Sequence, residues 1–531
     1  MTTTSAATAP ATKPEPESAA LRWLTLAACA ILLVGVTVWF RYRAIGVSSL
    51  WLDDAWVGVG ARFPTIGDTV GSGLTSPGFS LLYRAWAAIF GTSATAAQLL
   101  AVAFAVAAPV VLFFAASERG LPWYAALLGG GLLATAPAHI DMSTRFKQYS
   151  AEAFAATVVL WVAWRVIERP GSWRRWSGFT AVAIGASLLS SVGAVIAGTA
   201  LGVCFIATLV SRPLRLRAAV VASCAYGVVV GPWLILAVRP NIHPKLAEYW
   251  RGYYLDGNGL AGGLTTRLKV VASGFQSADS TLVLVVLAIA AVVVLVRRPL
   301  VGVLVLSPMA VAIVLAAFSV APLGTGRTDV YLFPGYALLI AVAVAEAATL
   351  LRGRTAWATA VVAVAGFAFA FATIAASPSP TDARLCPDPP LKGSTLLRCP
   401  YPQEDLTPLV HLVEQRRGPG DAIVVYSSAG WAYGIATKYR IEKRDDPLAA
   451  TDWVVKVNGP GITVLKAHRT DAEKWNGPLD RITARSSRIW LIGSHLFYDW
   501  PELKAMLVTR GYTPVQTYTR DGAELVRFEK Q

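Results

Sequence analysis

The sequence predicts a polytopic α-helical membrane protein of about eleven transmembrane helices, ending in an extracytoplasmic α/β domain. Three observations carry this. Of the 531 residues 55% are hydrophobic, only 15% are charged, and mean hydropathy is +0.52. Apolar runs of bilayer-spanning length recur from residue 23 to residue 376. Beyond residue 403 the pattern changes to short strand-like runs alternating with more polar helices. A soluble chain cannot hide so much apolar surface, so the bilayer must be the solvent for most of it.

Residues 1–20, rich in Thr, Ala, Pro and Ser, read as a disordered cytoplasmic N-terminus. The first apolar run is too long for a signal peptide and no convincing cleavage site follows it, so it is expected to stay as a helix. Spans are expected near 23–40, 94–116, 121–138, 149–167, 175–190, 192–210, 217–238, 279–296, 299–320, 330–351 and 355–376. Residues 175–210 read equally as one long tilted helix. Between the first two spans, Phe79 to Phe90 is apolar on one face and too short to cross, as an interfacial helix would be.

Basic residues orient these spans. Net charge is +15, and the excess crowds into short links: Arg165, Arg169, Arg174 and Arg175; Arg212, Arg215 and Arg217; Arg297 and Arg298; Arg352 and Arg354. All fall on one side, which is therefore read as cytoplasmic. Arg41 and Arg43 lie on the other side and argue against it. Charge placed this way implies a membrane surface or an anionic lipid substrate rather than nucleic acid. The long links 41–93, 139–148, 239–278 and 321–329 then gather outside, with everything after 377.

The expected organisation is a membrane domain over 21–377, a proline-rich linker over 378–402 and an α/β domain over 403–531. Cys29, Cys204 and Cys224 lie in apolar runs and read as buried small hydrophobes. Cys386 and Cys399 lie in the linker, and in an oxidising exterior they are expected to form a disulfide. No Cys/His spacing suggests zinc. In the last domain a helix at 404–417, strands at 422–428 and 488–494, a helix near 500–510 and a strand near 523–528 alternate, with no Gly-rich nucleotide loop.

Candidate chemistry lies in the outer links. LWLDDAW (50–56) places two adjacent carboxylates, Asp53 and Asp54, just past the first span. A carboxylate there can take a proton from an attacking hydroxyl, with partial burial raising its pKa. Solvated loop acids are the plainer reading, but Leu50, Trp51 and Trp56 pin the pair at the membrane interface. In TRFKQYSAE (144–152), helical spacing puts Arg145, Gln148, Tyr149 and Glu152 on one face and points Lys147 elsewhere. Such groups suit a polar cavity or an interfacial cap. GTGRTDVYLFP (324–334) offers Arg327 as a phosphate grip, or an Arg327–Asp329 ion pair that organises the loop. His243, Lys245, Tyr249, Trp250, Arg251, Tyr253, Tyr254 and Asp256 mix aromatics with charge, as a headgroup site or an amphipathic interfacial segment would.

This ensemble resembles the GT-C glycosyltransferases, membrane enzymes that use polyprenyl-phosphate sugars and include the protein O-mannosyltransferase and aminoarabinose transferase types. The resemblance covers the layout of residues 23–376 and rests on an acidic pair in the first outer loop, here Asp53-Asp54. It rests also on an interfacial stretch, TSPGFSLLYRAWAAIFG (75–91), which carries Arg84, on RFKQYSAE opening the fourth helix, and on a late outer loop with Arg. Here Asp-Asp replaces the usual Asp-Glu, and Gly78 stands where the family has a second proline. The resemblance implies an inverting transfer on the outer face of a bacterial inner membrane. Arg145, Lys147 and Arg327 would hold the donor phosphate, and Asp53 or Asp54 would be the base. Gln148, Tyr149, Glu152, Asp329 and Arg84 would line the substrate. The acceptor would be a cell-envelope glycan, lipid or protein. Some relatives hold a divalent cation at the acid pair, although no full ligand set is visible here. Composition suggests a GC-rich bacterial genome, and with it mannose or arabinose donors. The alternatives are a transporter or flippase of lipid-linked glycans, or a non-catalytic assembly protein. A transporter should carry charge near mid-membrane, and these runs are nearly free of it there.

Overall fold

The computed structural model describes residues 19–42, 45, 50–72, 76–143, 145–211, 216–242, 248–255, 260–350, 356–375, 404–446, 452–466, 473–496 and 499–531. The expected Cys386–Cys399 disulfide falls outside these residues, as do Arg43, Arg212, Arg215, His243, Lys245, Asp256, Arg352 and Arg354.

Helix α1 (Ala19–Trp39) leads into an outer segment holding α2 (Leu52–Val59), α3 (Ile66–Val70) and α4 (Pro77–Phe90). Next come α5 (Ala94–Glu118), α6 (Trp123–Ala134), α7 (Pro137–Ser143), α8 (Tyr149–Glu168), α9 (Trp173–Leu189), α10 (Ser191–Ser211) and α11 (Leu216–Trp233). After α12 (Leu260–Phe275) follow α13 (Ser280–Arg297), α14 (Pro299–Ala317), α15 (Phe333–Leu350) and α16 (Ala356–Ala375). Among the described residues, 8 helices are long and apolar enough to cross a membrane. The expected spans 121–138, 175–190 and 355–376 also form helices, as α6, α9 and α16.

Local chemistry sets the boundaries. Ser93 caps α5 by accepting from the Ala96 amide at 3.2 Å, and Asp279 caps α13 by accepting from Thr281 and Leu282. Pro299 opens α14. The expected span at 121–138 is shorter than predicted, because α6 stops at Ala134 and Pro137 starts the separate α7. The 175–210 ambiguity resolves as two helices. Ser190 is extended between them (φ −153°, ψ 147°), and a Cβ on Gly193 would lie 2.0 Å from the Ala186 carbonyl oxygen.

Ion pairs show which helix ends lie together. Arg119 at the end of α5 pairs with Glu168 at the end of α8, and Arg175 at the start of α9 reaches the same Glu168. Arg298, between α13 and α14, pairs with Glu346 near the end of α15 at 2.5 Å. The starts of α8 and α15 are therefore at the opposite end of the bundle. Arg41, which argued against the orientation, does not face a membrane surface. It is fully buried and donates to Ser143 Oγ at 2.6 Å and to the Thr37 and Ala134 carbonyls.

The C-terminal region contains α17 (Leu406–Arg416), α18 (Gly430–Ala436), α19 (Glu473–Thr483) and α20 (Trp500–Val508). Its strands are β1 (Ala422–Val425), β2 (Arg440–Asp445), β3 (Trp453–Asn458), β4 (Ile462–Val464), β5 (Arg488–Ser494), β6 (Tyr512–Arg520) and β7 (Ala523–Lys530). A five-stranded sheet runs β4-β1-β5-β7-β6, with β4, β1 and β5 parallel and β7 antiparallel to both of its neighbours. Strands β2 and β3 form a separate antiparallel pair. The sequence reading located β1, β5 and β7 by their apolar runs. It missed β2, β4 and β6, which are short or largely exposed, and also β3, although its WVVKV run is mostly buried.

One hydrophobic cluster joins Leu50, Val57, Val59, Phe63, Phe79 and Tyr83 of the first outer segment to the core of the sheet domain. Arg62 reinforces the joint by donating to the carbonyls of Gly434 at 2.7 Å and Tyr439 at 2.9 Å.

Candidate active site

The acid pair sits in the first turn of α2, where the positive end of the helix favours carboxylates. The two side chains take different partners. Asp53 Oδ2 lies 3.2 Å from Lys147 Nζ and 3.5 Å from Arg327 Nη1, and its side chain keeps 20% of its surface exposed. Asp54 is buried and accepts the backbone N–H of Phe146, while its Oδ1 has no hydrogen-bond partner.

Lys147 reaches Asp53 because its segment is not helical. Residues 145–148 bend, and α8 starts at Tyr149 without a side-chain cap on Gln148. The helical projection that turned Lys147 away therefore fails, and Lys147 becomes the nearest cation to the acid pair. The tryptophans expected to anchor the loop in the interface instead wall in the cations. Arg145 lies over Trp51 with 5.6 Å from its Cζ to the ring centre, and Lys147 Nζ lies 5.9 Å from Trp56.

Arg327 arrives from the opposite side on a loop shaped by Asp329. That carboxylate accepts the N–H groups of Gly324, Thr325 and Gly326 at 3.0, 2.8 and 3.0 Å. Gly324 and Gly326 have φ of 71° and 75°, which favours glycine. Asp329 thus fastens the loop by its backbone, and Arg327 on that loop pairs with Asp53. Arg327 also donates to Tyr249 Oη at 2.8 Å and lies 4.9 Å from the ring centre of Trp250. Part of the aromatic segment at 239–278 is therefore built into the site.

Charge separates the two acids. Burial raises the Asp53 pKa, but Lys147 and Arg327 outweigh it and hold the carboxyl below its ordinary value. For Asp54 burial dominates and pushes the pKa up to about 6, against the pull of Arg145 and Lys147. Asp141, buried on α7, is likewise pushed up to about 6 by burial, with Arg145 and Arg327 opposing. Three acids and three cations thus share one partly desolvated cluster.

Other expected site residues lie differently. Glu152 is buried and accepts from Ser190 Oγ at the α9–α10 break. Tyr149 is buried beside Lys147, and Gln148 is half-buried where α8 begins. The structure does not bring Arg84 into the cluster. Its guanidinium donates to the Phe63 and Thr65 carbonyls and to Thr69 Oγ1, so it holds the outer segment together. The sequence reading missed Asp141, Glu404 and His495. His495 Nδ1 lies 2.6 Å from Glu404 Oε1, Glu404 accepts the Leu52 N–H, and His495 lies within electrostatic reach of Asp53. A usable signal existed: His495 follows the carboxyl end of the parallel strand β5, where α/β domains place functional groups.

The acid pair is a poor seat for a divalent cation. Asp53 already faces two cations, Asp54 is buried with its carboxylate accepting the Phe146 amide, and no group of three His, Cys, Asp or Glu side chains among the described residues converges on one point.

No protein-family profile matches the chain, and no curated protein matches it. Solved structures do. The chain is similar to ArnT from Cupriavidus metallidurans, both in the apo state and bound to undecaprenyl phosphate. Identity is 14% and the TM-score 0.58, over 96% of this chain and 98% of that one. The Archaeoglobus fulgidus oligosaccharyltransferase, in complex with Zn and sulfate, aligns at 14% identity and a TM-score of 0.44, over 94% of this chain and 72% of that one. The fold is of the GT-C type.

Proposed function

We propose that the chain is an inverting glycosyltransferase of a bacterial inner membrane. It moves a sugar from a polyprenyl-phosphate donor to an acceptor hydroxyl on the outer face. The observation that carries this is Asp53, partly exposed and held between Lys147 and Arg327 at the end of the bundle opposite the arginine-rich links. Positive-inside placement of those links supports an outer location for the site and for the C-terminal domain. The ArnT structure of the same fold holds undecaprenyl phosphate, which supports a lipid-phosphate donor.

In this reading the donor phosphate takes Lys147 and Arg327 from Asp53. Losing those partners raises the pKa of the Asp53 carboxylate, so it becomes a competent base as the donor binds. The acceptor oxygen forms its bond to the anomeric carbon and gives its proton to Asp53. The carbon–oxygen bond to phosphate breaks on the opposite face, and its electron pair leaves with the phosphate. Attack opposite the leaving group inverts the anomeric configuration. The phosphate is already anionic, so no strong general acid is needed. Asp54 holds the 145–147 segment through the Phe146 amide.

Purified protein in lipid nanodiscs, offered polyprenyl-phosphate sugars and nucleotide sugars with a cell-envelope extract as acceptor, tests the assignment. Transfer from the lipid donors alone, with inverted product, is expected. Transfer from a nucleotide sugar, or a product of retained configuration, would overturn it.

A further inference from the structure

The sheet domain carries a cavity of about 440 Å³ that shares no residue with the Asp53 cluster. It lies at the carboxyl end of β4, between the end of β2 and α19. In parallel sheets this edge is where ligands bind, because the loops that follow the strands converge there.

Its chemistry is one-sided. Arg444, Lys466, Lys474 and Arg481 line it, against the single carboxylate of Asp446. The cations come from three separate elements, which a merely solvated charged face does not require. Arg444 is part-buried and donates to the Val464 carbonyl at 2.5 Å, yet its Nε is buried without a hydrogen-bond partner. Burial lowers the pKa of the Arg444 guanidinium, and Asp446 offsets this only in part. A bound anion would offset the positive charge that these side chains gather in the cavity. Trp475, 1% exposed, donates to the Lys466 carbonyl at 3.2 Å and fixes that rim. Three of the cationic heads, on Lys466, Lys474 and Arg481, remain exposed.

The same strand edge leads toward the reaction. Strand β5, two places across from β4 in the sheet, ends just before His495, which lies within electrostatic reach of Asp53. We propose that the cavity binds an anionic saccharide, bearing phosphate or carboxylate groups, as the acceptor of the transfer at Asp53. The acceptor role rests on the glycosyltransferase reading; the binding does not.

Full-length protein in nanodiscs, titrated calorimetrically with a hyaluronan hexasaccharide, a mannopentaose phosphate and neutral maltohexaose, tests this. Saturable binding is expected for one or both anionic probes and not for maltohexaose, and the probe that binds names the anion. Lys474→Gln and Arg481→Gln, both at exposed positions, should each weaken binding about tenfold. Asp53→Asn should leave binding unchanged while slowing transfer by about 10²–10⁴-fold. Absence of saturable binding by both anionic probes, equal binding of maltohexaose, or unchanged affinity in both variants would overturn the proposal. No transfer by the wild type from any polyprenyl-phosphate sugar, beside intact binding, would instead sink the glycosyltransferase reading.

Discussion

Asp53 faces Lys147 and Arg327, whereas Asp54 is buried against the Phe146 amide, and each arrangement has its own pH signature. Asp53 in the free protein has a depressed pKa, so kcat/KM should keep its acid side down to below about pH 4. With donor bound, the phosphate shares the two cations, and the acid limb of kcat should lie at higher pH. Coincident limbs in the two profiles would refute the exchange of partners. For Asp54 the sign is opposite. Its folded pKa, about 6, exceeds the unfolded value, so its contribution is complete below about pH 4 and is lost as pH rises toward 6. Asp54→Asn keeps an oxygen for the Phe146 amide and cannot ionise. Melting curves from pH 4 to 7 should therefore lose a decline worth on the order of 2–3 kcal/mol in this variant. None of this division was legible in the dipeptide, because both partners come from segments about a hundred residues or more away in sequence.

Helix α4 shows what a sequence departure means at the level of an element. Gly78 stands where the resembled family has proline, and a Cβ there would lie 1.8 Å from the Leu188 carbonyl oxygen at the end of α9. Only glycine lets the two helices meet at that point. Gly78→Ala should therefore cost about 1–3 kcal/mol, read as a lower melting midpoint in detergent. An unchanged midpoint would mean that α4 can move aside. The periodicity of α4 was legible in the sequence, since Phe79, Ser80 and Tyr83 do form its buried face. The start of α8 was not. Hydrophobic spacing runs smoothly back through Arg145, and without a side-chain cap nothing local marks where the helix begins. That is why Lys147 was projected away from the site it serves.

Across the whole molecule, the membrane helices were legible because span length and apolar content are enforced residue by residue. The docking of the C-terminal domain was not, since it depends on contacts such as Arg62 with the carbonyls at 434–439 and Trp453 with the Ser72 carbonyl at 3.1 Å. Arg62→Gln should weaken that joint by about 1–3 kcal/mol. Faster amide exchange over 430–439 would report it, and unchanged exchange would show that the hydrophobic cluster alone holds the domain. The joint matters because the domain brings Glu404 and His495 to Leu52 and Asp53. The most direct measurement is single-turnover transfer from a polyprenyl-phosphate sugar by wild type and Asp53→Asn, with folding verified by melting. A rate lower by about 10²–10⁴-fold, with donor still bound, is predicted; wild-type turnover by Asp53→Asn would contradict the account.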